Sequence, residues 1–421
     1  MRVTVVGINY HPETTGIGPF NTGLCEYLAK DHEVEMISTF SYYPLWKKNP
    51  EDEKLLFRTD DIKTVTVHRG WHYVPVIATA IKRMVHELTF IGSSVLRALF
   101  SQRPDVYVVV APPLLSGLAI GFIAKLKGRP VIFHIQDLQP DAAVWLGMLT
   151  QRWLIKTLYW FEALTYQWMD VVSGITPAMV SVLLDKNLPR QKVKLLPNWI
   201  PISQDAERPA RNTDTAMSVR RDLGLADDTF LAVYSGNLGS KQGLDVLLDA
   251  ALELKKRNVP ASKITLMICG DGAEKVRLTE KANELGLENL VFKPLLPYAD
   301  YQAILTSIDV SLVTQVLGSG KAFFPSKVLS ILAAGCPILA VCDDESPLHE
   351  SLAEANAGVS AHPEEPANMV DQLLRLANEP EILETYSKSG FTWVKRFSPE
   401  TVLANFDSVL QAMSEKQTRL L

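Results

Sequence analysis

The run VYVVVA, Val106–Ala111, has no polar face. A strand with one wet side alternates apolar and polar residues; an unbroken apolar run marks a strand covered on both sides. Further strands read at Val3–Ile8, Val34–Ser38, Thr64–Arg69, Val131–Ile135 and Val171–Ile175, with helical patterns between them. This style predicts a parallel sheet flanked by helices on both faces. The segment LLPNWIPIS, Leu195–Ser203, ends the first half, and the polar stretch Gln204–Thr215 reads as a surface connector. The pattern then restarts, with strands expected at Phe230–Tyr234, Ile264–Cys269, Leu290–Phe292, Val310–Val313 and Pro337–Val341. At 421 residues the chain exceeds one ordinary core. The expectation is an α/β protein of two doubly wound, Rossmann-like domains, 1–199 and 200–395. A closing segment, 396–421, carries an amphipathic helix at Pro399–Met413. It turns Val402, Phe406, Val409 and Leu410 inward and packs back toward the first domain.

Net charge is −5, from 42 basic and 47 acidic residues, which argues against a general nucleic-acid binder. The four cysteines, Cys25, Cys269, Cys336 and Cys342, form no CxxC pair. They read as reduced thiols packed as small hydrophobes, and no metal site is expected from them. The opening MRVTVVGINY reads as a buried strand rather than a signal peptide. No segment offers about 20 uninterrupted apolar residues, so no membrane span is expected.

The second half opens on SGNLGSKQGLDVLLDAA, Ser235–Ala251. A strand feeds a turn with Gly236, Gly239 and Gly243, and a helix follows at once. Glycines let the backbone approach a ligand, and a helix N-terminus offers unpaired N–H groups to an anion. Lys241 places a full positive charge in that loop. One such loop is also compatible with an ordinary βα turn. A second glycine loop, at Gly16 and Gly18, opens the first half and favours a phosphate or diphosphate ligand.

Five segments together resemble the retaining nucleotide-sugar glycosyltransferases of family four, which have the GT-B architecture. They are Asn9–Leu28, FHIQDLQPD (Phe133–Asp141), LLPNWI (Leu195–Ile200), SGNLGSKQGL (Ser235–Leu244) and FPSKVLSILAAGCPILAV (Phe324–Val341). The QDLQPD and KQGL segments look like those of bacterial exopolysaccharide and colanic-acid transferases. The resemblance implies a donor held in an inter-domain cleft, mostly on the C-terminal domain. Gly236, Asn237, Lys241, Ser326 and Lys327 would face its diphosphate. Ser326 stands where a helix N-cap belongs. The base would lie near Leu295, and amides of Gly16–Gly18 would close on the diphosphate. The chain departs from the family pattern in three places. Asn237 and Gln242 replace a common Arg and Lys, Gln136 replaces a common His, and Ala322 and Ser330 replace the two glutamates of a Glu-x7-Glu signature. The second of those glutamates usually holds ribose, so the ribose contact is unassigned.

Glycosyl transfer breaks a sugar–phosphate bond and loads negative charge onto the departing diphosphate, which cations and N–H dipoles stabilise. No Asp-x-Asp pair is present to hold a divalent ion there. Lys241 and Lys327 are therefore expected to assist departure without a metal or other cofactor. Asp137 ends a buried strand, at the sheet edge where open α/β folds bind ligands. It either handles the acceptor hydroxyl or caps the following helix. His134 and Gln136 share one strand face on the acceptor side, His134 with a core role as its alternative. The loop FSYYPLW, Phe40–Trp46, brings Tyr42 and Tyr43 as candidates to frame an acceptor sugar. The resemblance further implies front-face transfer, in which the leaving phosphate takes the acceptor proton.

Ile77, Ile81, Met84, Leu88, Ile91, Val95 and Leu99 recur at helical spacing, with Lys82, Arg83, His86 and Arg97 off the stripe. The stripe fits a helix packed on the core; its basic flank fits an anionic lipid surface. These features give the expected partners and place: a nucleotide-sugar donor, a saccharide or lipid-linked acceptor, and a cytoplasmic protein peripheral to the inner membrane. A sugar-nucleotide-binding scaffold, or a phosphorylase or epimerase of the same architecture, are the alternatives.

Overall fold

The computed structural model describes residues 1–76, 79–145, 149–318, 325 and 327–418. The chain divides into two compact units, Met1–Trp199 with Pro399–Leu421, and Ile200–Ser398.

The first unit is built on eight strands: β1 (Arg2–Val6), β2 (Glu33–Thr39), β3 (Phe57–Ile62), β4 (Val65–Gly70), β5 (Val106–Ala111), β6 (Val131–Ile135), β7 (Val171–Gly174) and β8 (Val193–Leu195). Their order is β3-β4-β2-β1-β5-β6-β7-β8. All pairs are parallel except β3 with β4. Strand β5 shows why its sequence does not alternate. Val106, Val108 and Val110 enter one core layer, and Tyr107, Val109 and Ala111 enter the other. Order reverses between β1 and β5, so this is the switch point at which such sheets hold ligands. Five helices matter below: α1 (Gly18–Leu28), α2 (Ala80–Phe100), α3 (Leu114–Leu126), α4 (Gln139–Trp145) and α5 (Arg152–Trp168).

The helix Pro399–Thr418 packs into this same unit. Val402, Leu403, Phe406 and Leu410 are buried, and the His32 ring meets Asp407 at 2.7 Å. The change of unit falls slightly later than the expected 395/396 boundary. Lys395–Phe397 form a 3-10 turn whose Phe397 carbonyl accepts the Ile200 N–H at 3.0 Å, which holds that turn in the second unit.

The second unit carries β9 (Phe230–Asn237), β10 (Ile264–Asp271), β11 (Leu290–Lys293), β12 (Val310–Thr314), β13 (Ile338–Val341) and β14 (Gly358–Ala361). Every pair is parallel, in the order β11-β10-β9-β12-β13-β14. In relative terms this is third, second, first, fourth, fifth, sixth, the order of dinucleotide-binding sheets, with its switch point between β9 and β12. The expected fold class, two doubly wound Rossmann-like sheets, is the observed one.

Three differences from the sequence reading have physical causes. The strands not foreseen, β3, β8 and β14, all lie at sheet edges. Edge strands are short or polar and lack a two-sided apolar run; β3 reads FRTDDI. The stretch Gln204–Thr215 is not a free connector but a strap on the second unit. Arg208 makes a two-pronged pair with Glu384 and reaches Ser387, and Arg211 donates to the Ile308 carbonyl at 2.5 Å. Finally, α2 buries only part of the stripe read as its core face: Ile91 and Val95 pack against the core. Its buried positions are His86, Phe90, Ser94 and Ala98, while Ile81, Met84, Leu88 and Leu99 are exposed. Ile77, the first member of that stripe, lies outside the described residues.

Candidate functional site

At the carboxyl edge of the second sheet, β9 ends in Tyr234-Ser235-Gly236-Asn237. Gly236 has φ +147°, and it stands opposite Gly270 of β10. A side chain on Gly270 would collide with the Gly236 carbonyl. The two strand ends therefore meet backbone to backbone. The Leu238 N–H donates to the Asp271 carbonyl at 2.8 Å, which fixes the start of the loop. The loop then turns through Ser240–Gln242 and Gly243, at φ +62°, into the helix Asp245–Lys256. It is tied across the switch point by the Val316 N–H, which donates to the Lys241 carbonyl at 3.3 Å. Asp245, in the first turn of that helix, is held to Arg277 and Lys281. The Arg277 hydrogen bond brings its carboxyl down to about 2.

Lys327 reaches this loop from a helix ninety residues further along the chain. It opens Lys327–Ala333, and its side chain is half-buried. The Nζ sits 3.8 Å from the Tyr234 ring centroid and donates to the Ser235 carbonyl at 3.4 Å. It lies 4.0 Å from where a Cβ at Gly236 would stand. Tyr234 in turn donates its hydroxyl to the Asn237 carbonyl at 2.8 Å. Ring face and carbonyl both favour a cation, yet neither carries a full negative charge. Burial accordingly lowers the Lys327 ammonium to about 7.

Gly236, Asn237 and Lys327 are thus brought together. Asn237 and Lys241 are exposed. Leu295 follows β11 and is 59% exposed, next to Pro294, whose carbonyl accepts the Cys269 thiol at 2.9 Å. Ser326 lies outside the described residues, as does Ala322. Ser330 turns its hydroxyl onto the Lys327 carbonyl at 2.8 Å, inside its own helix.

The corresponding edge of the first unit is organised by a carboxylate. Glu13 is buried, and its Oε1 accepts the N–H groups of Tyr42 and Tyr43, each at 2.9 Å. Its Oε2 accepts Asn9 Nδ2 at 2.7 Å. Burial raises its pKa against these hydrogen bonds. Glu13 thereby pins the FSYYPLW loop to the loop after β1. Gly16, at φ +65°, packs under the Tyr43 ring, where a side chain would stand 3.3 Å from it. Gly18 begins α1. Tyr42 turns inward, with ring centroids 5.0 Å from His72 and 4.7 Å from His86; Tyr43 is half-exposed.

A buried polar chain links two motifs that are distant in sequence. Ser173 Oγ meets His134 Nδ1 at 2.9 Å, and His134 Nε2 meets Gln136 Nε2 at 2.9 Å. Gln136 and Asn198 then exchange two amide hydrogen bonds, at 2.9 and 2.7 Å. The Gln136 amide nitrogen can only donate, so His134 accepts at Nε2 and donates from Nδ1. Burial holds the ring neutral, with its pKa lowered to about 4. His134 is a hydrogen-bonded core residue, and Gln136 relays its position to LLPNWI. Asp137, the next residue, is exposed, and α4 begins two residues later at Gln139.

Three contributors were not assigned a role from sequence: Tyr234, Glu13 and Asn198. Their signals were present. Tyr234 is the one aromatic at the mouth of the glycine loop, Glu13 is an acid in an otherwise neutral first loop, and Asn198 is the polar centre of LLPNWI.

The model of a glycosyl transferase 4-like domain matches residues 15–199, and that of glycosyl transferases group 1 matches 217–393. A protein described as a colanic acid biosynthesis glycosyl transferase, WcaI of Escherichia coli, is 33% identical over 80% of this chain and 82% of its own. Probable glycosyltransferase WbjE of Pseudomonas aeruginosa is 30% identical over 66% of this chain and 68% of its own. Among solved structures, sucrose-phosphate synthase of Thermosynechococcus elongatus superposes with a TM-score of 0.73 at 15% identity, covering 98% of both chains. HepE of Anabaena, in complex with UDP, gives 0.70 at 14% identity, covering 98% of this chain and all of its own. Those two likenesses speak for the GT-B fold. With the sequence relatives and both domain models, they show that the chain belongs to the glycosyltransferases of family four, as a hexosyltransferase of GT-B type related to the enzymes of colanic acid biosynthesis.

Proposed function

We propose that the protein is a retaining hexosyltransferase that takes a nucleoside-diphosphate sugar as donor. The acceptor in this reading is a saccharide linked to a lipid diphosphate, met at the cytoplasmic face of the inner membrane during assembly of a cell-surface polysaccharide. The observation that carries the donor side is Lys327. Its ammonium is parked over Tyr234 and beside Gly236, at the switch point of a dinucleotide-type sheet, short of a counter-anion. In the transfer, the bond from the anomeric carbon to the diphosphate breaks on the face at which the acceptor oxygen bonds. The acceptor proton passes to the leaving phosphate oxygen. Lys327, Lys241 and the amides of the Gly236–Gly243 loop stabilise the departing charge, and no divalent ion is required. Asn237 and Leu295 border the donor, together with Ser326. Asp137 orients the acceptor hydroxyl, while Tyr43 and the Tyr42-containing loop frame its sugar; His134 and Gln136 hold that side in place.

HepE has been captured with UDP and with UDP-glucose, which makes uridine the first base to try. The test is a thermal-shift panel of UDP-, GDP-, ADP- and TDP-sugars, with and without EDTA, followed by transfer assays on the donor selected. Ligand at about a hundred times its dissociation constant adds roughly 2.7 kcal/mol of stability. One nucleotide should stand out, with binding and transfer both surviving the chelator. A panel in which none shifts the melt defeats the donor reading, and activity that EDTA abolishes and magnesium restores defeats the metal-free mechanism.

A further inference from the structure

The helix α2 presents to solvent a large part of the apolar stripe that its period would normally bury, while Ile91 and Val95 pack inward. Ile81 is 74% exposed and Leu88 48%, with Met84 between them. The helices α3 and α5 continue the feature: Phe122 of α3 and Trp153 and Trp160 of α5 all stand at 50% exposure or more. α2 packs beside α3, and α3 beside α5, as one layer on the sheet. Their outward sides therefore form one surface. Lys127, just past α3, ties the layer at its far end by donating to the Ala98 and Ser101 carbonyls.

The charges on this surface have one sign. Lys82, Arg83, Lys125, Arg152 and Lys156 are exposed. The three helices hold two acids, and both are engaged inward: Glu87 accepts from Gln139 of α4, and Glu162 pairs with Lys186. This cationic face belongs to a chain whose net charge is −5. Large apolar and aromatic side chains interleaved with Lys and Arg on a helix surface match the chemistry of an anionic bilayer interface. The patch also borders the acceptor side of the first unit. Arg83 stacks on Trp46 of the FSYYPLW loop at 5.5 Å, and Glu87 is bound by Gln139, two residues from Asp137.

We infer that the outer face of α2, α3 and α5 docks on anionic lipid. Ile81, Met84, Leu88, Trp153 and Trp160 enter the headgroup boundary, and the flanking cations meet lipid phosphates. No helix among the described residues is long and apolar enough to cross a membrane, so the contact is interfacial. The inference deepens the reading of a lipid-linked acceptor and rests on it for its purpose. The binding itself is measured without any transfer.

The experiment is co-sedimentation of the full chain with vesicles of phosphatidylcholine, and with vesicles of phosphatidylcholine and phosphatidylglycerol in equal parts. The parent protein should sediment with the anionic vesicles, weakly with the neutral ones, and less as salt is raised. Ile81→Glu/Leu88→Glu and Lys82→Glu/Lys156→Glu should each lower partitioning about tenfold or more, with an unchanged melting curve because all four positions are exposed. Failure to sediment with anionic vesicles overturns the inference, as does unchanged binding in both variants. So does a dimer in solution that Ile81→Glu/Leu88→Glu dissolves, which assigns the face to a second copy. Failure of the transferase reading is recognised separately, in the donor panel without vesicles.

Discussion

The two units begin alike and then part over charge. Each has a glycine-bearing loop after the first strand of its sheet, at the switch point, leading into a helix. In the first unit the loop is braced by a buried carboxylate, Glu13, consumed by the backbone of Tyr42 and Tyr43. In the second it is attended by a lysine, Lys327, held by a ring face and a carbonyl. A carboxylate satisfied by three N–H groups is a structural element; an ammonium with no carboxylate partner among the described residues is the group that the proposed function assigns to the donor diphosphate. Glycine loops of one topology therefore carry opposite charge partners, a carboxylate spent on the backbone in one unit and an ammonium held by neutral groups in the other. The deciding side chain lies outside the Gly236–Gly243 loop in the second unit, and between the strand and the glycines in the first.

The sharpest way to break this division of labour is at Asp137. If the first unit handles the acceptor, Asp137→Asn should cut turnover by about a hundredfold or more while donor affinity stays put. Asn removes the charge with little change of shape, so the melting temperature should hold. A fully active Asp137→Asn protein would leave leaving-group electrostatics as the whole mechanism.

Next in size is the brace. Glu13→Ala strands two buried backbone N–H groups and the Asn9 amide. A loss of about 3 kcal/mol in urea unfolding is expected, since each buried donor left unpaired costs about 1–3 kcal/mol. Glu13→Gln should lose less, because its carbonyl can still accept from Tyr42 and Tyr43. Equal stability of the alanine variant and the parent would show that water replaces the brace.

Lys327→Met should weaken donor binding by about 1.5–3 kcal/mol, roughly ten- to a hundredfold by calorimetry. A pH series sharpens the same point. With its pKa lowered to about 7, the unliganded lysine loses its proton as pH rises above that value. A bound diphosphate restores the proton, so affinity should fall above pH 7, by at most about tenfold per unit. In Lys327→Met the slope should vanish; a slope that persists assigns it to another group.

The smallest effect belongs to Lys241. It is exposed, and exposed ionic contacts are worth about 0–1 kcal/mol. Lys241→Ala should therefore weaken binding no more than about fivefold. A loss as large as that of Lys327→Met would mean that the loop closes over the ligand and buries Lys241.

Interior strands were the most legible part of the fold. Val106–Ala111 and Val131–Ile135 have the same limits in sequence and structure, because burial on two faces favours apolar residues throughout and admits a polar one, such as His134, only with hydrogen-bond partners. The edge strand β3 was invisible for the opposite reason: its burial alternates between exposed and half-buried, and its pairing to β4 is antiparallel. In the candidate site, the glycines, Lys241 and Lys327 could be named from their motifs. The role of Tyr234 as the seat of Lys327 could not, because the two are far apart in the chain. The stripe of α2 was legible only in part: Ile91 and Val95 face the core, and Ile81, Met84, Leu88 and Leu99 do not. Helical period locates an apolar face, but it does not say whether protein or another phase covers it.

By itself the sequence determined the two parallel sheets, the glycine loops at their carboxyl edges and the family motifs. These depend on local period, on steric limits at glycine, and on residues adjacent in the chain. Only the tertiary structure decided that Lys327 sits over Tyr234, that Glu13 locks the loop of Tyr42 and Tyr43, and that His134 is joined through Gln136 to Asn198. It also decided which face of α2 meets the sheet. Each of these is a contact between distant segments, fixed by strand order and register. The charge state of a lysine and the exposure of a leucine follow from what those distant segments bring alongside them.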